Sequence, residues 1–196
     1  MSPEERREAI LLATTPLLRE HGANVTTSQI AKAAGIAEGT VFRAFKDKQE
    51  LLLACLERAL SADAEVARIR AIPLDQPLTD RLIEATAAIT DYMDRLWSMM
   101  QALRGSGFDP RKHDPDKPPK GPQEEMPRIA AAMAQLFEPE RARLRLAPER
   151  AARLVLGLTF TSRMQDKHFG EPIADPAVVV ELFLHGLLDP TLGGDK

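Results

Sequence analysis

A chain of 196 residues with 44% hydrophobic and 28% charged residues has the size and balance of one compact domain or two small ones, and excludes collagen-like and low-complexity classes. No apolar run approaches the roughly 18 residues a membrane span needs, which excludes a helical membrane protein. The net charge of -3 argues against a nucleic-acid partner until its distribution is read: residues 26 to 48 set Lys32, Arg43, Lys46 and Lys48 against only Glu38 and Asp47. That segment is locally basic in an acidic chain, although charge alone does not separate it from an ordinary solvated face. The charged start, Met1 to Arg7, leads into no signal-type apolar stretch and predicts a cytoplasmic protein. Cys55 is the single cysteine and has no internal disulfide partner. Without a CxxC pair or a histidine cluster, neither a metal site nor a cofactor is expected.

In chain order, Ser2, Pro3 and Glu5 form a helix start, with a capping hydroxyl, a proline in the first turn and a carboxylate three residues after the cap. The helix runs to about His21 on Ile10, Ala13, Leu17 and Leu18, with Gly22 placed to end it and Pro16 predicting a bend or a tightened late turn. Thr26 and Gln29 repeat the capping box and open a short helix in which Ile30, Ala31 and Ala34 lie on one face and which stops at Gly35. Glu38 to Phe45 form another short helix with Val41, Phe42 and Phe45 as its apolar side. Asp47 caps a longer helix on Leu51, Leu52, Cys55, Leu56 and Leu60, continuing to about residue 70. Two short helices around a glycine-containing turn, buttressed on each side, make a helix-turn-helix.

Ile72 to Pro77 reads as a connector. From Thr79 to about 104 the apolar residues Leu82, Ile89, Met93, Leu96, Met100 and Leu103, with Thr86, keep steps of four and three, which is a long core helix. Six of the 15 prolines then fall between 105 and 127, and a mobile loop is expected over 105–122. Met126, Ile129, Met133, Leu136 and Phe137 resume the helical spacing until Pro139. Pro148 opens a helix to about His168, and Asp175-Pro176 opens another ending near Asp189-Pro190. No strand pattern competes. The expectation is an all-α chain of eight or nine helices: a helix-turn-helix domain over 1–60 and a second helical domain over 71–196.

The run from Val25 to Lys48, with a glycine in the turn, Gly39-Thr40 followed by an apolar and an aromatic residue, then Phe45 and Lys48, resembles the DNA-binding segment of the tetracycline-repressor (TetR) family. The similarity extends from about Glu8 to Leu56; beyond Leu60 it is architectural. It implies a homodimeric transcription factor that places the second short helix in the major groove of an operator duplex. The DNA contacts this assigns are Thr26, Thr27, Ser28, Glu38, Gly39, Thr40, Phe42, Arg43, Lys46 and Lys48. Thr26 and Thr27 sit at a helix N-terminus, where free N–H groups favour phosphate. Thr40 reaches phosphate or a base edge, Arg43 reaches guanine or phosphate, and Lys48 matches the phosphate-contacting lysine of the family. The chain departs from the family pattern in Ala37, which offers no side-chain cap, in Phe42, which lacks the common tyrosine hydroxyl, and in Ala44.

Catalysis is not expected: His21, His113, His168 and His185 are scattered, and no nucleophile motif or phosphate-cradling loop accompanies them. Met93, Trp97, Met100, Met133, Phe137, Phe160 and Met164 would line a pocket for a small apolar or aromatic ligand, or simply fill a core. Leu154, Leu158, Thr161, Leu182, Phe183 and Gly186, on the last two helices, are expected at the dimer interface. The resulting expectation is a repressor released from a palindromic operator by such a ligand, against a constitutive DNA-binding regulator or activator that needs none. Cys55, on an apolar helix side, reads as packing before redox sensing.

Overall fold

The computed structural model describes residues 2–104, 108, 122–168 and 175–186, side chains excepted at 23, 122–123 and 164–168. The described residues hold nine α-helices and no strand: α1 (Pro3–His21), α2 (Thr27–Ala34), α3 (Glu38–Ala44), α4 (Lys48–Leu60), α5 (Asp63–Arg70), α6 (Leu78–Leu103), α7 (Pro122–Gln135), α8 (Pro148–His168) and α9 (Pro176–His185). Short 3-10 turns lie at Gly22–Asn24 and Glu138–Arg143. No helix among the described residues is long and apolar enough to cross a membrane.

Local chemistry sets the helix ends in the first 60 residues. The Ser2 hydroxyl accepts from the Glu5 N–H at 3.1 Å, and the Glu5 carboxylate accepts from the Ser2 N–H at 2.7 Å. Thr26 and Gln29 repeat this reciprocal pair, and the Asp47 carboxylate accepts from the Glu50 N–H at 2.8 Å. The helix α1 continues through Pro16 to His21; Leu12, whose carbonyl loses its partner there, lies on the exposed face.

The chain divides into two compact units, residues 1–61 with 94–122 and residues 62–93 with 123–196. The first is built on Ile10, Leu18, Ile30, Val41, Phe45, Leu51 and Leu52 of α1 to α4, with Met99 and Leu103 of α6. Cys55 is buried in this core, which pushes its thiol up to about 12 and keeps it packed and unreactive. In the second unit Leu82, Ile89, Tyr92, Ile129, Met133, Phe137, Val155 and Val180 are buried.

The structure departs from the sequence expectations in five places. Phe42, expected on the apolar side of α3, is exposed, because the core covers only the stripe formed by Val41 and Phe45 one turn apart. The helix expected to continue to about 70 breaks at Ser61-Ala62, where Ser61 is extended. Side chains take up the freed backbone groups: Arg95 donates to the Ser61 carbonyl at 3.0 Å, and the Ala62 N–H donates to Glu125 at 3.3 Å. In α6 the steps of four and three place Met100 inside, yet Met99 is buried and Met100 exposed, because the end of this helix packs into the core of the first unit beside Leu103. The helix α7 begins at Pro122, earlier than the proline-rich stretch predicts, since proline is tolerated in a first turn. Its later Pro127 is accommodated in a helix fastened by buried Ile129 and Met133 and by Arg128, which bonds both Glu125 and Asp63. Finally, α9 stops at His185, where Gly186 takes a positive φ of 85°. Most of the expected loop at 105–122 lies outside the described residues.

In the second unit, fully buried Arg81 donates to the Leu136 carbonyl at 2.5 Å and to Glu140 at 2.5 Å, fixing the end of α7. Removing one partner of such a pair strands a desolvated polar group. Arg81→Ala is expected to lower the unfolding free energy by about 3–5 kcal/mol, measured by urea denaturation. A loss below about 1 kcal/mol, the range of an exposed pair, would show that the contact does not hold this end together.

Candidate nucleic-acid interface

The turn between α2 and α3 is closed by backbone geometry. Gly35 takes the left-handed conformation (φ 66°, ψ 32°), which costs glycine nothing, and the Ile36 N–H returns to the Ala31 carbonyl at 3.0 Å. The Thr27 hydroxyl then donates to the Glu38 carboxylate at 2.5 Å, tying the first residue of α2 to the first residue of α3.

Helix α3 is seven residues long and turns its two sides to different environments. Val41, and Phe45 just past its end, are buried, whereas Glu38, Gly39, Phe42 and Arg43 are exposed. Positions i, i+1, i+4 and i+5 lie together, so these four form one continuous outward face. Arg43 makes no hydrogen bond or ion pair with any described residue, and its guanidinium is available to an incoming acceptor. Phe42 is 54% exposed. Gly39 has no positive φ, and beyond its chain neighbours and its own helix backbone no heavy atom lies within 4 Å of where a Cβ would stand. Neither backbone strain nor packing within the chain calls for glycine there.

The far end of α3 is held by a residue that sequence reading missed. Arg7 of α1 donates to the Ala44 carbonyl and to Glu50 Oε1 at 3.0 Å, and its guanidinium lies 4.1 Å from the centre of the Phe45 ring. Glu50 Oε2 also accepts from the Lys46 N–H at 2.6 Å, so this carboxylate binds the loop after α3 to both α1 and α4. No local motif marks Arg7, because its partners lie 37 and 43 positions away.

Of the other expected contacts, Thr26, Ser28 and Lys46 are exposed, while Thr27, Thr40 and Lys48 are half-buried. Thr27 and Ser28 stand in the first turn of α2, tied to α3 through Glu38, and Lys48 stands in the first turn of α4, which follows α3 in the chain. The structure thus gathers the expected DNA contacts on α2, α3 and the start of α4.

The expected ligand residues are not gathered in the same way. Met93, Met133, Phe137 and Phe160 belong to the second unit, and Trp97 and Met100 to the first. Met133 and Phe137 are buried, Met93 and Trp97 half-buried, and Met100 and Phe160 exposed; the Met164 side chain lies outside the described residues. A cleft of about 250 Å³ in the first unit is lined by Thr15, Leu18, Arg19, Arg95, Ser98, Met99 and Ala102, none of them an expected ligand residue. No group of acidic, histidine or cysteine residues among those described is placed to hold a metal ion.

This fold and this face define a helix-turn-helix protein. Residues 10–55 match the model of the bacterial regulatory proteins of the tetR family, a match confined to this N-terminal domain. Over 81 residues the chain is 33% identical to the HTH-type transcriptional repressor BepR of Brucella suis; the match covers 41% of this chain and only 38% of that protein. Among solved structures, a Mesorhizobium loti protein assigned to the TetR family superposes with a TM-score of 0.67 at 18% identity, covering 94% of this chain and 97% of its own. A transcriptional regulator of the TetR/AcrR family from Thermobifida fusca gives 0.64 at 20% identity, covering 94% of this chain and all of its own. At these identities the superpositions establish the fold alone.

The Arg7 contacts generate a direct expectation. Arg7→Ala removes a charged donor from a carbonyl and a half-exposed ion pair, together worth about 1–2 kcal/mol. Amide hydrogens of residues 41–46 are then expected to exchange faster, while those of α7 and α8 keep their protection. Unchanged exchange in α3 would show that Arg7 does not anchor it.

Proposed function

We propose that this protein is a DNA-binding transcriptional repressor that acts as a homodimer on a palindromic operator and is released by a small apolar ligand. The observation that carries the DNA reading is Gly39. Glycine in a helix costs up to about 1 kcal/mol relative to alanine, and nothing inside the chain requires it. A backbone approached closely by an outside partner does require it, and the neighbouring Arg43 and Lys46, with Thr26 and Ser28, suit a phosphate-lined groove. Gly39→Ala is therefore expected to keep or raise the melting temperature while weakening binding to a duplex selected from random sequence. Arg43→Ala is expected to cost about 1–3 kcal/mol and relax preference at one base pair. Lys48→Ala is expected to weaken all sequences alike and flatten the salt dependence. If Gly39→Ala binds duplex as tightly as the parent, the reading fails.

The dimer reading is supported by the outward side of α8. Ala152, Val155, Leu156 and Thr159 are buried, leaving Leu154, Gly157, Phe160 and Thr161 exposed with Leu158 half-buried. The Thr161 hydroxyl donates to the Gly157 carbonyl at 2.9 Å, which satisfies its polarity within the helix. Gly157, like Gly39, has open space where a Cβ would stand. On α9, Val178 is exposed and Leu182 half-buried, and Gly186 follows its last turn, exposed. Phe183 packs edge-to-face on Phe137 of the same chain, ring centres 6.3 Å apart, so it tests the core as much as an interface. A stable pair needs roughly 1,200 Å² or more of buried surface. Sedimentation at micromolar concentration is expected to give a dimer, and Leu154→Arg with Phe160→Arg a monomer that stays helical. A dimer unaffected by both changes places the interface elsewhere.

For the ligand, Met93, Met133 and Phe137 within the second unit supply adaptable apolar walls. A ligand that releases DNA must bind the free protein better than the operator complex by the same factor. The second reading, a regulator with no inducer, is favoured by the complete burial of Met133 and Phe137, which makes them filled core. A ligand that stabilises the free protein yet leaves operator affinity unchanged selects that reading.

A further inference from the structure

We propose that Phe42 is a specificity residue that reads the 5-methyl group of thymine, seated in the open notch between its ring and the bare backbone of Gly39. This rests on the DNA-binding reading and says which base feature α3 recognises. Phe42 and Phe160 are the exposed phenylalanines among the described residues, and Phe42 alone lies on the outward face of α3. A single exposed apolar residue on an arbitrary surface needs no explanation. This one stands three residues after Gly39 on the face that also presents Arg43.

Three physical facts narrow what the ring meets. Helical side chains lean toward the N-terminus of their helix, so the Phe42 ring covers surface over the preceding turn, on the side of Gly39. Beyond its two chain neighbours, no side chain, the Phe42 ring included, comes within 4 Å of the missing Cβ of Gly39, so the space between that ring and the Gly39 backbone is open. The ring has no hydrogen-bonding atom and gains nothing from a phosphate or from the polar edges of guanine, cytosine or adenine. Thymine alone among the bases offers an apolar group in the major groove, its methyl, and apolar contact with a phenylalanine is a recognised way of reading it. Arg43, next in sequence and equally outward, supplies the donors suited to a guanine edge. The two residues therefore divide the face into an apolar and a hydrogen-bonding reader.

The test uses the full-length protein and a duplex selected from random sequence, with each thymine replaced in turn by deoxyuridine, which keeps the base pair and removes only the methyl. One position in each half-site is expected to lose affinity by about fourfold, the value of one buried methyl group. In Phe42→Ala that sensitivity is expected to vanish, thymine and uracil duplexes binding alike, while Phe42→Tyr retains it. Because Phe42 is exposed, circular dichroism of both variants is expected to match the parent. Uracil sensitivity that persists in Phe42→Ala, or its absence in the parent protein at every thymine, overturns the assignment. A Phe42→Ala loss that is equal on thymine and uracil duplexes puts the ring against the sugar-phosphate backbone and also overturns it. If the parent protein selects no duplex, the DNA-binding reading falls first, an outcome distinguishable from all the others.

Discussion

Helix α3 is too short to stand alone: seven residues make barely two turns, and an isolated helix of that length is unstable in water. Everything that gives it a direction comes from outside it. Val41 and Phe45 bury one side against the core of the first unit; Thr27 holds Glu38 at its start; Arg7 holds Ala44 at its end. The outward face is then what is left over, and its orientation is determined at three points. A guanidinium at the C-terminal carbonyls is favourable twice, as a charged hydrogen bond and as a cation at the negative end of the helix dipole. Glu50 makes the arrangement cooperative, because the same carboxylate receives Arg7 and the Lys46 N–H.

Two glycines mark surfaces that the folded chain does not itself use. Gly39 on α3 and Gly157 on α8 both lie inside helices with ordinary backbone angles and open space in place of a side chain. Gly22 is different: a Cβ there would meet the Ala102 carbonyl at 3.1 Å, so its own fold explains it. Where neither strain nor crowding requires glycine, its cost in helix stability is the feature on which the proposed approach of a partner from outside the chain rests. Each of the two sits beside an exposed phenylalanine, Phe42 in one case and Phe160 in the other. The conjunction of missing Cβ and exposed ring is a stronger signal than either alone, since single exposed apolar residues are common.

Continuous helix α6 illustrates how one element serves two cores. Its residues to Met93 belong to the second unit and those from Asp94 to the first, so a single periodic pattern does not predict which residues are buried along its whole length. Leu82 and Ile89 follow the pattern; Met100 does not, and Met99 takes the buried place. The same element supplies Arg95 and Arg81, which satisfy backbone carbonyls at Ser61 and Leu136 where other helices end. These charged side chains let helices stop inside the protein without stranding polar groups.

What the sequence by itself determined was local: the capping boxes at Ser2 and Thr26, the Asp47 cap, the helix stop at Gly35, and the short helices they delimit. Each depends on residues three or four apart, whose chemistry is complete within one turn of chain. The family resemblance in Val25 to Lys48 was legible for the same reason, and it named the residues of the α3 face. Only the tertiary structure decided the Arg7 anchor, the break at Ser61-Ala62 and the burial of Met99 in place of Met100. Each depends on groups tens of residues apart or on which core a helix side meets, and no spacing rule encodes such neighbours. Side-chain periodicity tells which residues share a face; only packing decides whether that face is covered.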